Sequence, residues 1–171
     1  MKKIFWELVS FWGTLLAGLL LVVLAFVLEF RFGMIVFLDL FIITLVSNTW
    51  KVYHFKARPD NPEKIRPERP FHPIKECLRF LKLKDAIAYF HYVDAGSFPS
   101  IHSARSFNQA FLFAAFLGAI HWYLIFLAFA ALVAWSRVVK MRHFRTDITA
   151  GAILGLLVAV TSCYFAGIGG F

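Results

Sequence analysis

Residues 103–136 read SARSFNQAFLFAAFLGAIHWYLIFLAFAALVAWS, a run of 34 residues in which Arg105 is the only charge. A membrane-crossing helix needs about 20 mostly apolar residues, within a range of roughly 17 to 25. The run is too long for one such helix and long enough for two short ones. Gly118 and the His121–Trp122–Tyr123 cluster interrupt it near the middle, so the spacing predicts a tight hairpin of two short spans. Outward from this hairpin, three further stretches qualify: Val9 to Phe30, Gly33 to Trp50 with Asp39 as its only charge, and Asp147 to Gly170. The prediction is an all-α, integral-membrane helical bundle of about five transmembrane helices, a single domain over residues 1–171. Composition agrees, with 60% of residues hydrophobic and only 16% charged. That balance excludes a disordered chain and an ordinary cytosolic enzyme. Two cysteines, Cys77 and Cys163, exclude a disulfide scaffold.

Lys2 and Lys3 ahead of the first span give it some likeness to a signal peptide. Its apolar core is too long and no small-x-small site follows, so a retained anchor is expected. The sizeable extramembrane segment is 59–98. Five prolines, from Pro59 to Pro73, keep its first third from being helical. Beyond them Ile74, Cys77, Leu78 and Leu81 fall at helical spacing beside Lys75, Arg79 and Lys82, which predicts an amphipathic helix. It lies in the headgroup plane or caps the bundle; the pattern leaves both open. Tyr92 and the Trp122–Tyr123 pair suit interfacial anchoring. His54, His72, His91 and His121 are expected to be structural or superficial. Asp39, inside a span, is expected to hydrogen-bond a neighbouring helix.

The net charge of +8 is concentrated: residues 51–58, Arg105 and residues 137–147 hold +7 of it. The order of spans brings all three to one membrane face. Three basic clusters, distant in sequence and gathered at one face, make an anion site. Ordinary basic flanks of a membrane protein explain the Lys and Arg residues alone. They do not explain what stands between them.

Lys51 and Arg58 are seven apart, two helical turns, and point the same way if one helix carries both. Pro99-Ser100-Ile101-His102 opens a span, where a serine caps the helix and free N–H groups attract phosphate. Ser136-Arg137 is followed by His143 and Asp147, whose i, i+4 spacing lets the carboxylate orient the ring if the helix reaches back that far. Two histidines and a carboxylate around an anion suit covalent phosphoryl transfer. One imidazole attacks phosphorus and the other protonates the leaving oxygen, while Lys and Arg neutralise the transferred group. A divalent metal on the same groups is the poorer reading, because Lys51, Arg58 and Arg137 repel it. No metal and no cofactor is expected.

K-x6-R-P, P-S-x-H and S-R-x5-H-x3-D, in that order, resemble the three signature motifs of the type-2 phosphatidic acid phosphatase superfamily. They run from Lys51 to Asp147, over half of the chain. The resemblance implies a metal-independent membrane phosphatase acting through a phosphohistidine. By position it makes His143 the nucleophile, Asp147 its orienting carboxylate and His102 the general acid, with Lys51, Arg58, Ser100 and Arg137 binding phosphate. Two departures stand out. Ile101 replaces the usual glycine of the second motif, and five spans are counted where the family core has six. Soluble haloperoxidase relatives are excluded by the apolar spans.

Lys56, Arg105, Lys140, Arg142 and Arg145 exceed the motif's basic residues. Of these, Arg105, Lys140 and Arg142 are assigned to a headgroup with more than one phosphate. That points to lipid A 1-phosphate or undecaprenyl diphosphate, with phosphatidylglycerophosphate or phosphatidate as the alternative; anchoring to anionic lipid is the bland counterpart. A phosphotransferase and a non-catalytic lipid-binding protein are the other readings. The expected partners are a phospholipid-type substrate and the membrane, with no nucleic acid; the sequence leaves the oligomeric state unknown. All basic residues but Arg31 fall on the site's side. The positive-inside rule makes that side cytoplasmic, whereas the resemblance to bacterial inner-membrane enzymes favours the periplasmic face.

Overall fold

Seven helices account for most of the residues that the computed structural model describes, 2–60 and 82–168. They are α1 (Lys2–Phe11), α2 (Leu15–Leu28), α3 (Phe30–Tyr53), α4 (Leu83–Ala95), α5 (Ile101–Leu117), α6 (Ile120–Val139) and α7 (Arg145–Ala166). The long apolar run divides where its sequence breaks. Gly118 takes a left-handed φ of 73° and its N–H closes α5 on the Ala114 carbonyl at 3.0 Å. A side chain at that φ is strained, so glycine ends the helix cleanly. Ala119 is extended, and α6 returns.

The first span departs from expectation. Val9 to Phe30 is not one straight helix: α1 and α2 meet at a 48° bend. Thr14 is the cause, since it leaves helical geometry at ψ 163° and its hydroxyl accepts the Ala17 N–H at 3.2 Å. A new helix therefore starts inside an apolar stretch. The helices α3, α6 and α7 are each long and apolar enough to cross a membrane, and the bent pair makes a fourth span if counted as one. At 17 residues, α5 is only about 26 Å long, and its first half buries Arg105, Asn108 and Gln109. It is the polar centre of the bundle.

The amphipathic helix expected around 74–81 lies outside the described residues. A helix in this connection that the sequence reading did not find is α4. Tyr89, Tyr92 and Val93 bury one face of it, while Leu83, Ile87 and Phe90 leave an apolar stripe exposed. Such a division suits a helix lying at the membrane surface.

In lipid, helices associate through close packing of small residues and through hydrogen bonds, because lipid is as apolar as leucine. Both devices hold α5. Gly151, Gly155 and Ala159 form a stripe of small, buried residues on α7. A Cβ on Gly155 would stand 2.1 Å from the Ala104 carbonyl oxygen, so the two backbones nearly touch. Asp39 of α3 accepts from Asn108 of α5 at 2.7 Å and from Ser162 of α7 at 2.6 Å. The structural role expected for it is thus realised, and three helices are tied at one carboxylate. At the far end of the bundle, Arg31 donates to the Ala166 carbonyl at 2.8 Å, at the C-terminus of α7.

Candidate active site

The three motif segments meet at one end of the bundle and are bonded to one another through their backbones. Ser100 N–H donates to the Asp147 carbonyl at 3.0 Å and Asp60 N–H to the Met141 carbonyl at 2.9 Å. Ser97 N–H donates to the Lys56 carbonyl at 2.7 Å, beside an antiparallel bridge between Ala57 and Gly96. Lys51, buried in the last turn of α3, packs its stem against Gly96.

Arg58 arrives differently from the way its spacing suggested. The helix carrying Lys51 ends at Tyr53, His54 turns out at φ −123°, ψ 70°, and the following residues leave helical form. Pro59 keeps Arg58 itself out of helical geometry. Arg58 therefore reaches the site from the returning strand-like segment rather than from two turns along α3. Its guanidinium pairs with Asp94 of α4 at 2.9 Å. Burial works against the ionised form of Asp94, but Arg58, helped by Lys51 and Arg142, outweighs it and lowers its pKa.

His143 lies in the short connection between α6 and α7. Met141 takes a positive φ of 54°. The Arg137 carbonyl then accepts the N–H groups of both Arg142 and His143, at 2.9 and 3.3 Å. This turn folds the imidazole inward, where 2% of the residue remains exposed. Its Nδ1 stands 2.6 Å from the Ser97 carbonyl oxygen. A carbonyl only accepts, so Nδ1 carries the proton and Nε2 keeps its lone pair. Burial, then the charges of Lys51, Arg137 and Arg58, push the pKa far below the imidazole norm, against a weaker upward pull from the Ser97 bond. A ring held neutral in this way keeps a lone pair on Nε2, which is what a nucleophile needs.

Asp147 does not hold that ring. It is 4.0 Å from Nδ1, beyond hydrogen-bonding distance. The helix starts at Arg145, too late to place His143 and Asp147 on successive turns. The carboxylate instead caps α7, accepting the Phe144 N–H at 2.9 Å, and its other oxygen takes Lys56 Nζ at 2.5 Å. It thereby shapes the connection that carries His143, while the direct orienting contact belongs to Ser97.

His102, partly exposed in the first turn of α5, feels the charges of Arg137, Arg105 and Lys51. The bend of the first span presses against it: a Cβ on Gly13 would stand 2.9 Å from His102 Cβ and Cδ2. Ser100 caps α5, accepting the Ser103 N–H at 3.5 Å. Met141 is the only non-glycine residue with positive φ among the described residues, so Ile101 sits unstrained where the motif usually has glycine.

Arg137 is buried and donates to Ser10 of α1 at 2.7 Å, and Arg105 donates to Thr44 of α3 at 3.0 Å. Arg105 is thus held inside the bundle, one turn deeper than His102, and not at the surface where a headgroup's second phosphate lies. Lys140 and Arg142 stand at the rim, paired with Glu7 at 2.6 Å and with Asp60 at 3.4 Å. Among the described residues, Lys51, Arg105 and Arg137 form no ion pair with a carboxylate. Buried cations without a directly paired carboxylate favour the binding of an anion. Ser97, Ser10, Thr44 and Asp94 escaped sequence reasoning. A backbone carbonyl or a lone hydroxyl many residues away carries no spacing signature.

A family model described as the PAP2 superfamily matches residues 12–167. No curated protein and no solved structure matches the chain.

Proposed function

The chain belongs to the PAP2 superfamily, and on that premise we propose that it is a metal-independent lipid phosphatase acting through a phosphohistidine on His143. The observation that carries the reading is a neutral imidazole whose Nδ1 is held by the Ser97 carbonyl, leaving Nε2 free beside Lys51 and Arg137, which pair with no carboxylate among the described residues. When the phosphate's negative charge enters among the cations, His102 takes up a proton. In the first step Nε2 of His143 then bonds to phosphorus as the phosphorus–oxygen bond to the lipid breaks, and His102 gives that proton to the leaving oxygen. Lys51, Arg58, Arg137 and the N–H groups behind the Ser100 cap spread the charge of the transferred group. In the second step His102 takes a proton from water, the water oxygen bonds to phosphorus, and the nitrogen–phosphorus bond breaks. Inorganic phosphate leaves and both histidines regain their starting forms.

The substrate we assign is lipid A 1-phosphate or undecaprenyl diphosphate, at the periplasmic face of a bacterial inner membrane. Support comes from Lys140 and Arg142 at the rim, whose exposed ion pairs are worth only about 0 to 1 kcal/mol and yield readily to a second phosphate. A single-phosphate lipid such as phosphatidate is the second reading, favoured by those same cations already having partners. Phosphate release by detergent-purified protein, with EDTA present, is expected from the diphosphate or lipid A substrate in preference to phosphatidate. Arg142→Ala is expected to narrow that preference. No release from any lipid by folded protein would leave a non-catalytic lipid-binding protein.

For orientation, basic residues recruited to bind phosphate say little about topology. A Lys140→Cys variant is expected to react with a membrane-impermeant thiol reagent in intact cells with the outer membrane permeabilised. Protection until the inner membrane is opened would place the site on the cytoplasmic side.

A further inference from the structure

Outside the phosphate site, a groove of about 300 Å³ lies between the bent first span, α5 and α6. Its wall is apolar, with Trp12 and Leu24 on one side, Ala110 and Phe113 on the floor, and Phe129 and Val133 opposite. Two polar residues line it: Ser106 Oγ donates to the His102 carbonyl at 2.8 Å and Gln109 Nε2 to the Gly18 carbonyl at 3.3 Å, while Gln109 Oε1 is buried with no partner among the described residues. Trp12, Leu24 and Phe129 are exposed, so the groove opens on the lipid-facing perimeter.

Its upper end adjoins the active site across Gly13. Ser106 stands one turn below His102 on α5, and Val133 one turn below Arg137 on α6. Trp12 adjoins Gly13, whose backbone packs against both His102 and Val133. From there the groove descends about 10 Å along α5, from Ser106 to Phe113, beside Leu21 and Leu24 of α2.

We propose that this groove holds one hydrocarbon chain of the lipid phosphate whose headgroup is turned over at His102 and His143. The inference rests on the phosphatase reading above and adds where the substrate's chain lies. Adjacency favours the chain, since phosphate and hydrocarbon belong to one molecule and the groove begins one helical turn from His102 and from Arg137. Volume favours it too: over about 10 Å of length a helix of a second copy, about 10–12 Å in diameter, would occupy about 800–1,100 Å³. The 48° bend at Gly13 and Thr14 is what makes room, because it brings α1 over the site while α2 runs beside the groove.

The test is photolabelling of the full-length protein in detergent with a hexadecyl phosphate carrying a diazirine near the chain end, followed by peptide mapping. Adducts are expected within 106–113 and 126–133, displaced by dioleoyl phosphatidate and not by dioleoyl phosphatidylcholine. Ala110→Phe fills the floor and is expected to lower labelling there by about tenfold, while Leu157→Ala on the outer face of α7 leaves it unchanged. Labelling spread evenly around the perimeter, or displaced equally by phosphatidylcholine, means ordinary boundary lipid and overturns the proposal. Adducts joining two copies assign the groove to an interface and overturn it as well. If the groove is labelled as expected but wild-type protein releases no phosphate, the chain site stands and the phosphatase reading falls.

Discussion

His143→Gln is expected to lower phosphate release by at least about a thousandfold on every lipid, because it removes the atom to which phosphorus bonds. Glutamine is chosen because its amide still donates to the Ser97 carbonyl, so the turn after α6 keeps its inward bond. A folded variant that retained activity would mean that phosphorus is transferred straight to water. The same substitution has a signature apart from turnover. The folded state holds this imidazole neutral, with its pKa far below the norm, whereas in the unfolded chain it titrates near about 6.5. Above that pH both states are neutral and the group contributes nothing to pH dependence. Below it the unfolded chain takes up a proton that the folded state refuses, so stability falls as the pH falls. The melting temperature of the wild type should therefore drop more steeply between pH 7 and pH 5 than that of His143→Gln. Equal slopes would show an imidazole that titrates freely in the folded protein.

Whether this site was legible depended on what each inference needed. The gathering of Lys51, Ser100, His102, Arg137 and His143 at one end needed only the order of the spans, and the structure brings these residues together. The hairpin at Gly118 needed only a glycine in a run too long for one helix. Failures arose where a side chain's direction hung on a helix boundary. Spacing points Arg58 along with Lys51 only if α3 continues past Tyr53, and lets Asp147 orient the His143 ring only if α7 reaches back to His143. In both cases the helix is shorter at that end, and the lost turn redirects the residue: Arg58 to Asp94, Asp147 to the Phe144 N–H.

The bend at Thr14 was hidden for a different reason. A threonine inside an apolar run reads as one tolerated polar residue. Its capping role follows from tertiary packing, with Gly13 lodged against His102. Ser97 shows the same limit in its sharpest form. Its contribution to His143 is a backbone carbonyl, identical for any amino acid at that position. Sequence can name a chemical group only when a side chain supplies it.

Gly151→Ala and Gly155→Ala are expected to be the most damaging single-methyl changes in the bundle. The new Cβ would stand 2.3 Å from the Ser100 carbonyl oxygen in the first case and 2.1 Å from that of Ala104 in the second. These neighbours are backbone, so no rotamer change relieves the contact and α5 must move away from α7. Overpacking of this kind costs about 1–3 kcal/mol, and at roughly 2–4 °C per kcal/mol for a chain of this size the melting temperature should fall by several degrees. The two sites differ in what else they disturb. Gly155 lies one turn deeper, near the carbonyl that Asn108 approaches at 3.4 Å, so its variant should lose stability while each folded molecule keeps its turnover. Gly151 faces Ser100, whose N–H is bonded to the Asp147 carbonyl and whose hydroxyl caps α5. Its variant should lose stability and also turn over about tenfold more slowly per folded molecule, since the shift reaches the helix start that carries His102. Leu157→Ala, on the exposed face of the same helix, removes more atoms and should change neither property. Equal loss of turnover in the two glycine variants would mean that the α5–α7 contact acts on the site as one rigid unit, with no separate role for the Ser100 end.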